Sequence, residues 1–207
     1  MGRAADAVRY AEEGRALNDS PVAIARVCED TLLSTGQRDE AYQRYGLIAN
    51  QAATYAAWFR AALKKYPERT PAEVLGDLVA ATPGEEGKWF AAAKDAKLFD
   101  KAIALANLAP CSPQTLTRAA RDFAETNPTF ALEAGVAAIR WLAQGHGYEV
   151  TALDVRSAPA HTMHAARRAG RRAGREDEIR RLIRHYVADG LRREFMTAVL
   201  GRELGLE

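Results

Sequence analysis

The stretch 32-LLSTGQRDEAYQRYGLIA-49 decides how this chain is read. Two helix-forming segments meet at Gly36, and a glycine ends a helix well because it takes the left-handed turn without a Cβ penalty. Asp39 and Glu40 follow at once, where carboxylates complement the positive end of the next helix. Gly36, Asp39, Glu40 and Ala41 thus spell G-x-x-D-E-A, and Gly174, Asp177, Glu178 and Ile179 repeat the punctuation 138 residues later. Between them, KLFDKAIALA (97–106) and PTFALEAGVAAI (128–139) keep the apolar spacing without the glycine. The opening stretch is one helical hairpin among degenerate copies.

Helix starts are legible elsewhere too. Ser20-Pro21, Thr70-Pro71, Ser112-Pro113 and Asn127-Pro128 each place a capping side chain before a proline at the first helical position, where the missing N–H costs nothing. Thr70 and Glu73 also have the spacing of a capping box. Reading between these marks predicts helices over 4–16, 21–35, 38–49, 52–66, 71–81, 85–96, 98–108, 113–126, 129–144, 151–173, 176–189 and 191–204. The nearest strand candidate, Tyr148 to Val155, leaves a Gly-rich loop and runs into helix formers. An all-α fold is expected.

Short connections make successive helices antiparallel. Second helices then begin near 38, 71, 98, 128 and 176, at spacings of 33, 27, 30 and 48 residues. All but the last lie near the period of tetratricopeptide units, roughly 34 residues. The chain resembles the tetratricopeptide-like αα-superhelices, although the Trp-Leu-Gly-Tyr set of a standard first helix is absent. That resemblance implies a single helical-repeat domain over 1–207, a right-handed superhelix of about five to six antiparallel pairs. The repeat-like hairpins would span 21–49, 52–81, 85–108, 113–144 and 151–189, with a terminal helix at 191–204.

Composition narrows the function classes. The 29 basic and 27 acidic residues give a net charge of +2, too small by itself to argue for nucleic acid. The excess is C-terminal: residues 161–207 hold 11 Arg against 7 acids, and residues 1–160 hold 18 basic against 20 acidic residues. Cys28 and Cys111 are far apart among helix formers, which suits buried thiols rather than a disulfide or a thiolate metal site. The first residues carry acids and no long apolar run, so neither a secretory signal nor a membrane span is expected, and a cytoplasmic location is the default.

The leading chemical candidate is 164-HAARRAGRRAGR-175. On a helix His164, Arg168, Arg171 and Arg175 share one narrow arc, flanked by Arg167 and Arg172, opposite Thr162, Ala166, Ala169 and Ala173. Arginine forks suit phosphate or carboxylate. Acids at 176–178 would neutralise part of such a stripe, and no aromatic is interleaved to stack on single-stranded bases. His161 and His164 have a spacing that can hold a metal on a helix, with Asp154 the only local third ligand and Pro159 disturbing the helix nearby. His146 in 145-GHGYE-149 reads as a loop residue. The adjacent acids Glu12-Glu13, Glu29-Asp30 and Glu85-Glu86 would point about 100° apart on a helix, which disfavours a paired-carboxylate site.

Trp58, Phe59, Trp89, Phe90, Phe123, Phe130 and Trp141 read mainly as filling between alanine-rich helices. Exposure of Trp58 or Trp89 in a groove would instead make it a peptide anchor. The function expected from sequence is therefore a non-enzymatic module that binds a protein or peptide, without a cofactor, metal or membrane. The alternative is a helical protein that binds nucleic acid or another anion through Arg168, Arg171, Arg172 and Arg175. A helical enzyme would have to assemble His146 or His164 with a carboxylate in three dimensions, and oligomeric state is left open.

Overall fold

The structure is a computed structural model that describes residues 2–14, 20–170 and 175–204. These residues form twelve helices and no strand, so the all-α reading holds and Tyr148 to Val155 is not a strand. The chain divides into two compact units, Met1–Thr82 and Pro83–Glu207.

The first unit holds α1 (Gly2–Gly14), α2 (Pro21–Ser34), α3 (38–49), α4 (Tyr55–Lys65) and α5 (Pro71–Ala80). The α2–α3 turn follows its sequence. Gly36 takes φ +78°, and Asp39 and Glu40 occupy the first turn of α3. The pair is antiparallel: Arg26 Nε donates to the Ala49 carbonyl at 2.9 Å, and Asn50 Nδ2 donates to Glu29 Oε1 at 2.6 Å. Val8, Ile24, Ala25, Cys28, Leu32, Ala41, Tyr45 and Ala49 form the core between α1, α2 and α3.

Helix α3 carries one feature that leaves no periodic signal in the sequence. Its middle turn, Tyr42–Gly46, is π-helical, and Tyr42 and Tyr45, three residues apart and so on one face, both point inward. Gly46 then lies flat against Tyr66, where a Cβ would come within 3.0 Å of the ring.

The second unit holds α6, which opens as a 3₁₀ turn at Glu86–Trp89 and continues as Phe90–Asp95, then α7 (Phe99–Leu108), α8 (Pro113–Asp122), α9 (Pro128–Ala143), α10 (Ala152–Ala169), α11 (Arg175–Asp189) and α12 (Arg193–Leu204). Helix α9 is apolar nearly all round and buried along most of its length, as a central helix should be. It packs between α8 and α10. The α9–α10 contact is closest at Gly135, where an added Cβ would fall 2.3 Å from Thr162 Oγ1. Phe99, Phe123 and Phe130 meet with centroids 4.7 to 5.3 Å apart, and Phe90 stacks on Phe130 at 6.0 Å. This is the filling role expected of the aromatics.

The caps explain most helix starts. Thr54, Thr70, Ser112, Asn127 and Thr151 each accept a backbone N–H of the first turn, and Thr70–Glu73 closes the expected capping box. Ser20 makes no such bond, so its helix opens on Pro21 alone. Helix α10 departs from expectation twice. It runs through the buried Pro159, and it stops at Ala169 rather than 173 because Gly170 turns extended (φ −156°, ψ 131°).

Candidate functional site

An open cleft of about 660 Å³ lies between α1, the end of α2 and the start of α3. Ala5, Val8 and Leu32 give it an apolar floor, and Arg9, Glu12, Gln37, Glu40 and Arg44 form its rim. Glu12 is also the wall of a smaller cleft of about 200 Å³ bounded by Pro21, Ile24, Ala25, Tyr45 and Ile48. The rim is electrically mixed, since Arg44 reaches Glu12 at 2.9 Å and Glu40 at 2.7 Å.

Helix α1 is held lightly over this cleft. Among its described side chains only Val8 is buried, with Ala11 packed beside it. Burial of one valine is worth about 1.5–3 kcal/mol. A 13-residue helix is marginal alone in water, so tertiary contacts must supply the difference. A second attachment among the described residues is Glu12, whose carboxylate accepts from the buried Tyr45 phenol and from Arg44.

The same device recurs twice more in the first unit. The Tyr42 phenol donates to Asp77 at 2.7 Å, and that of Tyr66 donates to Glu29 at 2.7 Å. A guanidinium lies over each ring: Arg69 over Tyr42 at 4.6 Å, Arg44 over Tyr45 at 5.0 Å and Arg38 over Tyr66 at 5.6 Å. Burial first, and the carboxylate partner second, push all three phenols above the ordinary tyrosine range. They are neutral donors that tie α3 and the end of α4 to acids on α1, α2 and α5.

The second unit carries a basic groove between α8 and α10. These helices run side by side in the same direction, for Gln114 Nε2 donates to the Tyr148 carbonyl at one end and Glu125 meets His164 and Arg168 at the other. A cleft of about 280 Å³ is lined there by Arg118, Arg121, Leu153, Asp154, Ser157 and His161. Burial, then Arg121 and His164, hold the His161 imidazole below its ordinary value, with Asp122 opposing. Exposed Leu153 and Tyr148 flank the entrance.

The residues singled out from sequence have separate fates. Arg168 binds Glu125 with two parallel contacts, Nε to Oε1 and Nη2 to Oε2, each 2.8 Å. Arg171 and Arg172 lie outside the described residues, as does the side chain of Arg175, which opens α11. The unbroken stripe expected on one helix is therefore interrupted at Gly170. Trp89 is fully buried, and Trp58 is buried with its indole N–H given to the Leu47 carbonyl at 2.7 Å, so neither is an exposed anchor. Asp154 is not a free third ligand, since its carboxylate accepts from the Thr151 amide and hydroxyl at 2.9 and 2.8 Å. His146 sits in the turn after α9 with its ring edge-on to Trp141 at 5.0 Å. His164 does meet a carboxylate, Glu125, at 3.1 Å, but both side chains are about half exposed and Arg168 shares the acid.

Glu12 and Glu29 stand out in the sequence only as members of adjacent acid pairs, and the three tyrosines not at all. An acid and a tyrosine 33 to 37 residues apart leave no periodic signal, and only the folded chain brings them together. The class these features define is an all-α protein of two helical units. Comparison with known proteins adds nothing to that class, since no family description, curated protein or solved structure matches the chain.

Proposed function

We propose that this chain is a non-enzymatic protein-interaction module built from tetratricopeptide-like helix pairs, and that its docking surface is the α1–α2–α3 cleft. The observation that carries this reading is the cleft's make-up: about 660 Å³ of open space with a floor of Ala5, Val8 and Leu32 inside a rim of alternating charge. Peptide-binding grooves need both parts, apolar floor for affinity and polar rim for register. The test is a random peptide library displayed on phage and selected against the full chain, with each binder's footprint mapped by amide hydrogen exchange. Protection over 32–44, with weaker binding after Gln37→Arg, is expected. A footprint confined to the second unit, or indifference to that substitution, would overturn the reading.

Anion binding through the α8–α10 groove is the second reading, favoured by one observation. Arg118, Arg121 and His161 line one cleft, and the Arg118 guanidinium donates only weakly, to the Thr115 hydroxyl at 3.3 Å. Against it, Asp122 and Glu125 already engage Arg121 and Arg168. Duplex nucleic acid that binds at low salt, with a salt slope reduced by Arg118→Ala and Arg121→Ala, would support it; no binding at low salt removes it.

A further inference from the structure

We infer that α1 is an in-cis occupant of the α2–α3 groove, and that the partner is an amphipathic helix that takes its place. This rests on the reading of the cleft as a docking surface. The partner helix carries an apolar residue larger than valine at the place of Val8 and a carboxylate four residues later, at the place of Glu12.

Three observations lead there. Helix α1 already displays the chemistry the groove accepts: an apolar side chain buried among α2 and α3, and an acid at i+4 on the same helix face. It fills the groove poorly, because the cleft stays open beside Ala5 and Val8, where larger side chains would find an apolar floor at Leu32. Two donors of the socket for the acid stand on α3. The buried Tyr45 phenol and Arg44 both give hydrogen bonds to Glu12, so a departing α1 leaves Tyr45 a buried donor without this acceptor, which an incoming carboxylate restores. The other charges facing the seat come from Arg9, Glu40 and Arg44, and Glu40 keeps Arg44 paired when Glu12 leaves. An acid on the partner therefore meets one half-compensated arginine and one neutral donor.

A departure of this kind sets an apparent affinity below the intrinsic one by the fraction of chains with an empty groove. The probe is a fluorescein-labelled, acetylated and amidated peptide of residues 2–14 carrying Ala5→Leu and Val8→Leu. Its anisotropy is followed with the full chain, with a full-chain V8A/E12Q variant and with a full-chain A5L variant. Loosening α1 in V8A/E12Q should tighten binding roughly tenfold, and filling the cleft in cis with A5L should weaken it by a comparable factor. Hydrogen exchange of amides 5–12 should quicken in the first variant and slow in the second. A peptide that also carries Glu12→Lys should bind none of the three.

The outcomes separate the two ideas. Equal affinity for all three proteins overturns displacement and leaves the docking reading standing. Binding that survives Glu12→Lys in the peptide overturns the proposed partner chemistry. Library footprints away from 32–44 overturn the docking reading itself. Should V8A/E12Q lose its helical circular dichroism, the A5L comparison still decides, because that substitution adds volume to an open space.

Discussion

The phenol of Tyr66 donates to Oε1 of Glu29 across 2.7 Å at the buried centre of the first unit. The same oxygen accepts from Asn50 Nδ2 at 2.6 Å, while Lys65 Nζ stands 3.7 Å from the other oxygen. The ends of α3 and α4 thus converge on one buried carboxylate of α2, which satisfies the requirement that a buried charge be both paired and hydrogen-bonded. Breaking one arm removes a donor from that charge.

The Tyr66→Phe variant keeps the ring and deletes only that donor. A hydrogen bond to a charged group contributes about 1.5–3 kcal/mol, and this is the expected loss of stability in urea unfolding. Combined with Glu29→Gln in a double-mutant cycle, the two changes should be strongly non-additive, because each breaks the same bond. Additive losses would show that the carboxylate draws its support elsewhere.

Alkaline pH offers an independent reading of all three tyrosines. Burial, aided by Asp77, Glu12 and Glu29, raises the Tyr42, Tyr45 and Tyr66 phenols above their unfolded value. In the unfolded chain a phenol ionises near about pH 10. The contribution is therefore complete below that pH and is lost as pH rises through it, because the unfolded state sheds its protons first. Phenolate absorbance followed beside circular dichroism should show a class of tyrosines that ionises only as helix is lost. Ionisation of every tyrosine before any loss of helix would contradict the buried phenol–carboxylate pairs.

How far the sequence reached depends on whether a feature is local. Helix starts at Thr70, Ser112 and Asn127 were legible because a cap acts within three residues, and Gly36 because only its own backbone decides the turn. Periodicity also separates Glu29 from Asp30, one buried and one exposed, as acids 100° apart must be. It does not say which of the two goes inside, since that choice is made by Asn50 and Tyr66, 21 and 37 residues away. Arg168 is similar: its stripe was legible, but its pairing with Glu125, 43 residues distant, was not. The end of α10 at Gly170 was missed because two isolated glycines in an arginine-rich run look tolerable in a helix when considered only by face.

Gly135 tests the packing of α9 on α10. A Cβ at this position would lie 2.3 Å from Thr162 Oγ1 and 3.1 Å from the Thr162 Cα, so both a side chain and a backbone must move. Overpacking of this kind costs about 1–3 kcal/mol, and Gly135→Ala should lower the melting temperature accordingly. Adding Thr162→Ala removes the hydroxyl but not the close backbone, so it should recover only part of the loss. A neutral Gly135→Ala would mean that the two helices separate easily.

His161 gives the last prediction, at acid pH. Around it stand Arg118, Arg121 and Asp122 from α8, and Asp154, Ser157 and His164 from its own helix. Burial first, then Arg121 and His164, lower its proton affinity in the folded chain. In the unfolded chain an imidazole binds its proton near about pH 6.5. As pH falls below that value the unfolded state takes up a proton that the native state refuses, so stability declines until the depressed native value is reached, and is fully present above about pH 6.5. Proton NMR of the His161 ring should give a midpoint below that of a free imidazole, and Arg121→Ala should move it part of the way back, because burial remains. The same variant should flatten the acid limb of urea stability against pH. An unmoved midpoint in Arg121→Ala would assign the whole depression to burial and detach Arg121 from the groove's electrostatics.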